Sequence, residues 1–147
     1  MKAVIQRVKW AKVTVDGNVV GEIRRGILAL VGISVRDTGD DIDFMSEQLL
    51  NAPIFDGPEK KASVLEMDLG ILCVSQFTLL GKTAKGNKPD FHDAMKGSQS
   101  RPMFDHLVSQ LRASLGEKSV QTGEFGAMME VSLENDGPMM FQIDSDN

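Results

Sequence analysis

Residues 26–33 read Gly-Ile-Leu-Ala-Leu-Val-Gly-Ile, a continuous apolar run that contains β-branched side chains. An apolar run of this length without polar alternation is typical of a strand that is buried on both faces. We therefore expect residues 27–33 to form a central strand of a sheet. A second apolar run predicts another buried strand over residues 70–77, and this strand ends in the polar side chains of Ser75, Gln76 and Thr78.

Shorter strand patterns lie toward both ends of the chain. Residues 2–8 and 12–15 have strand character, and Asp16-Gly17-Asn18 predicts a hairpin turn into a strand over residues 19–23. Near the C-terminus, residues 127–133 and 139–143 predict two strands joined by a turn at residues 134–138.

Two segments have a helical pattern. The first begins at Thr38 or Asp40 and ends at residues 51–53, and the second has Ser100 as its N-cap, Pro102 in its first turn and Gly116 at its end. The order of the elements predicts one mixed α/β domain over residues 1–147, with two main helices packed on a largely antiparallel, curved sheet. We expect exposed sheet surface to pair two subunits.

The composition excludes several classes of protein. The 147 residues are 41% hydrophobic and 25% charged, which is typical of a globular domain and not of a disordered or membrane-spanning chain. The N-terminus lacks the pattern of a signal peptide, so we expect a cytoplasmic protein. The net charge is −5, yet residues 1–36 hold seven basic and two acidic side chains. This basic segment and a lysine loop (Lys82, Lys85 and Lys88) permit a local phosphate contact, although a solvated loop is the simpler interpretation.

Few residues indicate metal, nucleotide or nucleophilic chemistry. The chain has no Gly-x-x-x-x-Gly-Lys loop, no Gly-x-Ser-x-Gly elbow and no dinucleotide fingerprint. His92 and His106 lack partners at metal-ligand spacing, so we expect surface or capping histidines and no metal or other cofactor. Cys73 lies in an apolar run, which favours a buried filler over a nucleophile.

Two polar features interrupt the core pattern. The end of the strand at residues 75–78 offers hydroxyl and amide donors that could hold a carbonyl or an oxyanion, although many strands end in Ser or Thr only to satisfy a turn. In residues 135–138, Gly137 precedes Pro138, which allows unusual backbone angles or a cis bond. An ordinary hairpin tip is the simpler interpretation, since only about 5–6% of X–Pro bonds in folded proteins are cis.

Six blocks of the sequence together resemble the D-aminoacyl-tRNA deacylases of the bacterial and eukaryotic type. They are residues 1–8, 26–33, 75–79, 86–91, 122–129 and 131–138. The resemblance covers essentially the whole chain and implies a homodimeric editing enzyme that hydrolyses the ester between a D-amino acid and tRNA.

The resemblance also implies roles for individual residues. The 3′-terminal adenosine and its aminoacyl group would lie in a pocket at the dimer interface. The catalytic wall of this pocket would be formed by Ser75, Gln76, Phe77 and Thr78, with backbone donors near Phe77 and Thr78 polarising the ester carbonyl. The substrate would also be bound by Phe125, Gly126 and Met129.

The chiral filter that the resemblance implies belongs to the other subunit. There the main-chain carbonyl groups of Gly137 and Pro138, joined by a cis bond and braced by Arg7, would hold the amino group of a D-residue and leave no space for an L side chain. Glycyl-tRNA should then be hydrolysed as well. The sequence departs from the family where Met139 and Met140 replace the usual Val-Thr pair.

Two other functions stay open from the residues alone. One is a nucleic-acid-binding dimer without enzymatic activity, which the basic N-terminal segment favours and the net charge of −5 disfavours. The other is a small-molecule esterase that uses Ser75 or Thr78, and it requires a histidine close to one of these hydroxyl groups.

Overall fold

The computed structural model describes all residues, 1–147, and has the predicted mixed α/β fold. Its strands are β1 (Lys2–Val15), β2 (Asn18–Ile23), β3 (Gly26–Gly32), β4 (Phe55–Asp56), β5 (Lys61–Ala62), β6 (Gly70–Ser75), β7 (Val120–Thr122) and β8 (Glu130–Asp144). Its α-helices are α1 (Gly39–Asn51), α2 (Val64–Met67) and α3 (Gly97–Leu115), and short 3-10 helices cover Phe77–Leu80 and Glu117–Ser119.

The apolar run at residues 26–33 forms the centre of the main sheet, as predicted. β3 pairs with β1 on one side in antiparallel orientation and with β6 on the other side in parallel orientation, and β7 lies parallel to β6. β2 and β8 both pair with β1 in antiparallel orientation. The carboxyl end of β6 therefore opens on one edge of the sheet, which is where parallel strands commonly present functional groups.

The first strand differs from the prediction. Residues 2–8 and 12–15 belong to one long strand, whose first half pairs with β3 and whose second half, residues 11–15, pairs with β2. The side chains of Lys9 and Trp10 are exposed where the register against β8 shifts, and this interrupts the alternating pattern without ending the strand.

The C-terminal hairpin prediction is wrong. The segments 127–133 and 139–143 do not fold back on each other, because β8 runs antiparallel to β1 along its whole length. Gln6 lies opposite Met140 and Val8 opposite Asn135, so residues 136–139 face Arg7 alone and form a bulge. The continuous partner strand β1 keeps the chain extended on both sides of a motif that locally resembles a turn.

The two main helices lie where they were expected, with one boundary corrected. Thr38 is the N-cap of α1, and the Asp41 carboxylate accepts a hydrogen bond from its backbone N–H at 2.8 Å. Ser100 is not the N-cap of α3, which begins at Gly97 after Lys96. The Ser100 N–H already donates to the carbonyl of Lys96 at 2.8 Å, so the helix has formed one turn earlier than the sequence pattern indicates.

The sheet buries side chains on both faces. One cluster of 22 buried residues fills the space between the sheet and helices α1 and α3. A second cluster lies on the opposite face of the curved sheet and consists of Val8, Ala11, Val13, Ile23, Leu28, Leu72 and Val74. Gly21 of β2 touches the backbone of Thr122 in β7, where a side chain would collide, so the sheet nearly closes into a barrel around this cluster. None of the helices combines the length and the apolar character needed to span a membrane.

Candidate active site

A cavity of about 650 Å³ lies at the carboxyl end of β6. One wall comes from Ser75, Gln76 and Phe77, and the facing wall comes from the segment that follows β7, residues 125–129. Ten of its fifteen lining residues are hydrophobic, which suits a ligand that carries an aromatic ring or an aliphatic side chain. Of the ten site residues implied by the sequence, six line this cavity: Ser75, Gln76, Phe77, Phe125, Gly126 and Met129.

The wall at residues 75–78 changes from strand to helix within the site. The backbone N–H of Gln76 continues the ladder by donating to the carbonyl of Val31 at 2.8 Å, and the 3-10 helix begins at Phe77. The N–H groups of Phe77 and Thr78 therefore lie in the first turn of a helix, where no intrahelical carbonyl can accept from them. They are suitable donors for a carbonyl or an oxyanion placed beside the wall.

Thr78 lies next to the cavity and not on its lining. Its side chain is exposed, and its hydroxyl accepts a hydrogen bond from the side-chain amide of Gln76. Neither Thr78 nor Ser75 forms a hydrogen bond with a histidine. The esterase alternative requires a histidine beside one of these hydroxyl groups, and neither hydroxyl group has one as a hydrogen-bond partner.

Aromatic side chains frame the mouth of the cavity. Phe77 is 56% exposed and packs edge-on against Phe91, with 5.4 Å between ring centroids. The ring of Phe125 lies 5.8 Å from that of Phe104 and beneath the guanidinium of Arg101, also at 5.8 Å. A second, more polar groove of about 460 Å³ lies on the other side of Phe125.

Sequence reasoning missed part of the lining. Phe91, Ala94 and Met95 face Phe125 and the residues around it across the cavity. The sequence signalled only Phe91, as the last residue of the block at residues 86–91, which carried family resemblance but no assigned role; Ala94 and Met95 had no signal. Their position depends on the path of the long connection between β6 and α3, which residue patterns do not specify.

The Gly137–Pro138 segment does not line the cavity of its own chain. Its peptide bond is cis, both residues are exposed, and they lie on the bulge of β8. Three strand spacings, roughly 14 Å along the sheet, separate β6 from β8. Within one chain, the wall at Ser75 and the segment at Gly137 are therefore distinct regions.

Arg7 lies beside this bulge. Its Nη1 donates to the carbonyl of Ile54 at 2.6 Å, and its Nε lies 3.3 Å from the carboxylate of Asp136, with 17% of the side chain exposed. No hydrogen bond joins the Arg7 side chain to the carbonyl oxygens of Gly137 or Pro138. The bracing role implied by the resemblance thus stays a prediction, and the contacts that are present reach the bulge through Asp136.

Several titratable groups near the site form ion pairs or are buried. Lys82 of the lysine loop bonds to Asp93, and this contact holds the pKa of the Asp93 carboxyl below its usual value. His92 is exposed and contacts the carboxylates of Asp90 and Asp93. Burial raises the pKa of the Cys73 thiol to about 12, which leaves it protonated and unreactive at neutral pH.

Comparison with known proteins identifies the family. The model of the family described as D-Tyr-tRNA(Tyr) deacylase matches residues 4–144. The chain belongs to this family. A D-aminoacyl-tRNA deacylase of Yarrowia lipolytica is 43% identical over 152 residues and covers 100% of this chain and 99% of its own length. Another from Saccharomyces cerevisiae is 45% identical over 149 residues and covers 99% of both chains.

Solved structures of similar proteins have the same fold. One named "c-Myc DNA Unwinding Element Binding Protein" is 42% identical, covers 99% of both chains and superposes with a TM-score of 0.93. A structure of a probable eukaryotic D-amino acid tRNA deacylase has a TM-score of 0.82, covering 97% of this chain and 98% of its own. At 23% identity, the second similarity supports the fold alone.

Proposed function

We propose that this chain hydrolyses the ester bond between a D-amino acid and the 3′ end of tRNA. The observation that carries the proposal is the meeting of two family blocks, residues 75–79 and 122–129, around one apolar cavity. Family membership and the names of relatives that match over their full length support the same activity.

The proposed chemistry relies on backbone donors. The N–H groups of Phe77 and Thr78 polarise the ester carbonyl, water attacks its carbon, and the bond to the ribose oxygen breaks as that oxygen takes a proton. The 2′-hydroxyl of the same ribose assists the proton transfer. An aminoacyl ester is activated enough to need little acid–base help from the protein once its carbonyl is held by preorganised donors.

We further propose that the site is completed by a second copy of the chain. The bulge with Gly137 and Pro138 is exposed and lies away from its own cavity, while the outer edge of β8 is unpaired. In a homodimer, the carbonyl groups of Gly137 and Pro138 would face the substrate α-carbon in the partner's cavity. They would accept from the amino group of a D-residue, exclude an L side chain by contact and admit glycine.

A deacylation assay tests the activity. The protein is incubated with D-aminoacyl-, L-aminoacyl- and glycyl-tRNA, and the remaining ester is measured over time. We expect loss of the D-ester and the glycyl ester, survival of the L-ester, and no change when EDTA is added. Equal survival of D- and L-esters would reject the proposal, whereas hydrolysis of simple esters alone would favour the esterase alternative.

A mixing experiment tests the contribution of the second subunit. Ser75→Arg obstructs the cavity and Gly137→Ala disturbs the bulge, so each homodimer should keep about 1% or less of the wild-type rate on the D-ester. A 1:1 mixture that exchanges subunits should recover about one quarter of the wild-type sites, because half of the dimers then combine one intact cavity with one intact bulge. If the subunits are shown to exchange and the mixture recovers no activity, the bulge and the cavity of one site belong to the same subunit.

Nucleic-acid binding without hydrolysis is a second candidate function. The name of the similar DNA-binding structure favours it, as does the basic N-terminal segment. Against it, Arg7 lies beside Asp136, and both Lys82 and Arg36 lie beside Asp93, so several basic side chains are already neutralised within the fold. Tight binding of DNA or uncharged tRNA by a protein that leaves the D-ester intact would support this candidate.

A further inference from the structure

The bulge on β8 is a large interruption of an otherwise regular ladder. Between the pairs Gln6–Met140 and Val8–Asn135, β8 has four residues and β1 has only Arg7. Such a bulge removes ladder hydrogen bonds and leaves its backbone free to adopt several directions unless other groups hold it. Because Gly137 and Pro138 are exposed, packing does not supply that restraint.

The side chain of Asn135 closes the base of this bulge. Its Nδ2 donates to the carbonyl of Arg7 at 2.8 Å and to the carbonyl of Met139 at 3.1 Å. One bond ties the base of the bulge to the neighbouring strand, and the other ties Asn135, the residue before the bulge, to Met139, its last residue. Among side chains of this size, a neutral amide is the group that can donate to two carbonyl oxygens at once, since a carboxylate would repel both.

A second restraint acts on the flank of the bulge. Asp136 lies 3.3 Å from Nε of Arg7, whose Nη1 is in turn fixed by the carbonyl of Ile54. The backbone carbonyl and the side chain of Arg7 thus both contact the bulge, the first through Asn135 and the second through Asp136. Of these side-chain contacts, the bond from Asn135 to Met139 is the one that spans the bulge from end to end.

We propose that Asn135 is a positioning residue that sets the direction in which the carbonyl groups of Gly137 and Pro138 project. The proposal rests on the proposed function, because the direction of these groups matters only if they face the substrate of a partner subunit. Asn135 itself touches no substrate. Its loss should lower the preference for the D-ester over the L-ester and should leave binding in the apolar cavity almost unaltered.

The test compares Asn135→Ala and Asn135→Asp with the wild-type dimer on matched D- and L-aminoacyl-tRNA. We expect the ratio of kcat/KM for the D- and L-esters to fall about 100-fold in both variants, because a displacement near 1 Å at a reacting centre can have that effect. The KM for the D-ester should change less than about twofold, since its cavity contacts are intact. Asn51→Ala is the control, because it removes a comparable bond from Asn51 Nδ2 to the carbonyl of Glu47 on α1.

The outcomes separate this inference from the proposed function. If the wild type does not discriminate between the esters, the proposed function fails. If the wild type discriminates and both folded Asn135 variants keep its D/L ratio, Asn135 has no positioning role. If Asn135 had a purely structural role, its loss would reduce the folded fraction of the protein. The rates for the D- and L-esters would then fall together and their ratio would stay unchanged. If Asn135→Ala fails to fold, Asn135→Asp, which keeps the side-chain volume, decides between these outcomes.

Discussion

The cavity and the bulge are built in opposite ways. The cavity collects mainly hydrophobic side chains, such as Phe77 and Met129, around a strand end whose backbone donors are free. The bulge is held by polar contacts of Arg7, Asn135 and Asp136, and it presents an exposed Gly137. Apolar contacts are non-directional, whereas hydrogen bonds and ion pairs fix angles. The first region is therefore suited to affinity and the second to discrimination.

This contrast makes different predictions for the two regions. A substitution in the bulge should change the D/L ratio more than the affinity, and a substitution in the cavity should do the reverse.

The largest effect is expected for Gly137→Ala. Gly137 has a φ of +125°, and an added Cβ would lie 2.9 Å from the backbone nitrogen of Met139 and 3.0 Å from Nη2 of Arg7. Because neither the backbone nor the fixed guanidinium can yield easily, we expect the bulge to shift and the D/L ratio of kcat/KM to fall about 100-fold. Gly17→Ala is the control, since Gly17 also has a positive φ but no neighbour within 4 Å. Equal D/L ratios in the two variants would contradict the assignment of the bulge to discrimination.

Arg7→Ala should have the next largest effect. It removes the charged hydrogen bond to Ile54 and leaves the carboxylate of Asp136 without its partner. Interactions of this kind contribute about 2 kcal/mol, so we expect a fall of that size in the free energy of unfolding and a D/L ratio lowered about 30-fold. Urea unfolding and the deacylation assay measure the two quantities. Arg36→Ala, whose side chain is 62% exposed, should alter neither by much.

The two regions also differ in how well the sequence predicts them. The cavity wall follows from hydrophobic patterning, because an apolar strand that ends in Ser75-Gln76-Phe77 must present these residues at the sheet edge. The bulge cannot be predicted from such patterning, because residues 134–138 have the composition of a turn and nothing local indicates that β1 continues alongside them. The N-terminus of α3 was misplaced for a similar reason, since Lys96 caps it through its backbone and not through a favoured side chain.

Phe77→Ala tests the cavity. The ring is 56% exposed and contacts Phe91 at its edge, so its removal should hardly change the stability of the fold. Stacking of a base on an aromatic side chain is worth about 1–3 kcal/mol, and for an exposed ring we expect the KM for the D-ester to rise about tenfold. The D/L ratio should stay within about twofold of the wild type. Leu65→Ala, which alters another exposed apolar residue outside the cavity lining, provides the control. A changed D/L ratio with an unchanged KM would reverse the roles that we assign to the two regions.

Thr78→Val should have the smallest effect, although it removes the hydroxyl closest to the free amides. The hydroxyl accepts from Gln76 and has no histidine beside it, so no group is placed to remove its proton. The N–H of Thr78 survives the substitution, and that N–H is the group to which we assign stabilisation of the oxyanion. We therefore expect kcat to fall less than about tenfold, against the loss of roughly a million-fold that follows removal of a true nucleophile.

Rapid-mixing kinetics complete this test. If the Thr78 hydroxyl formed a covalent acyl intermediate, wild-type protein would release tRNA in a burst equal to the number of sites, and the variant would not. We expect no burst in either protein, because in the proposed mechanism water attacks the ester directly. A burst in the wild type that Thr78→Val abolishes would show that this wall of the cavity contributes a nucleophile. The cavity would then have a covalent catalytic role in addition to binding, and the division between a binding cavity and a discriminating bulge would be incomplete.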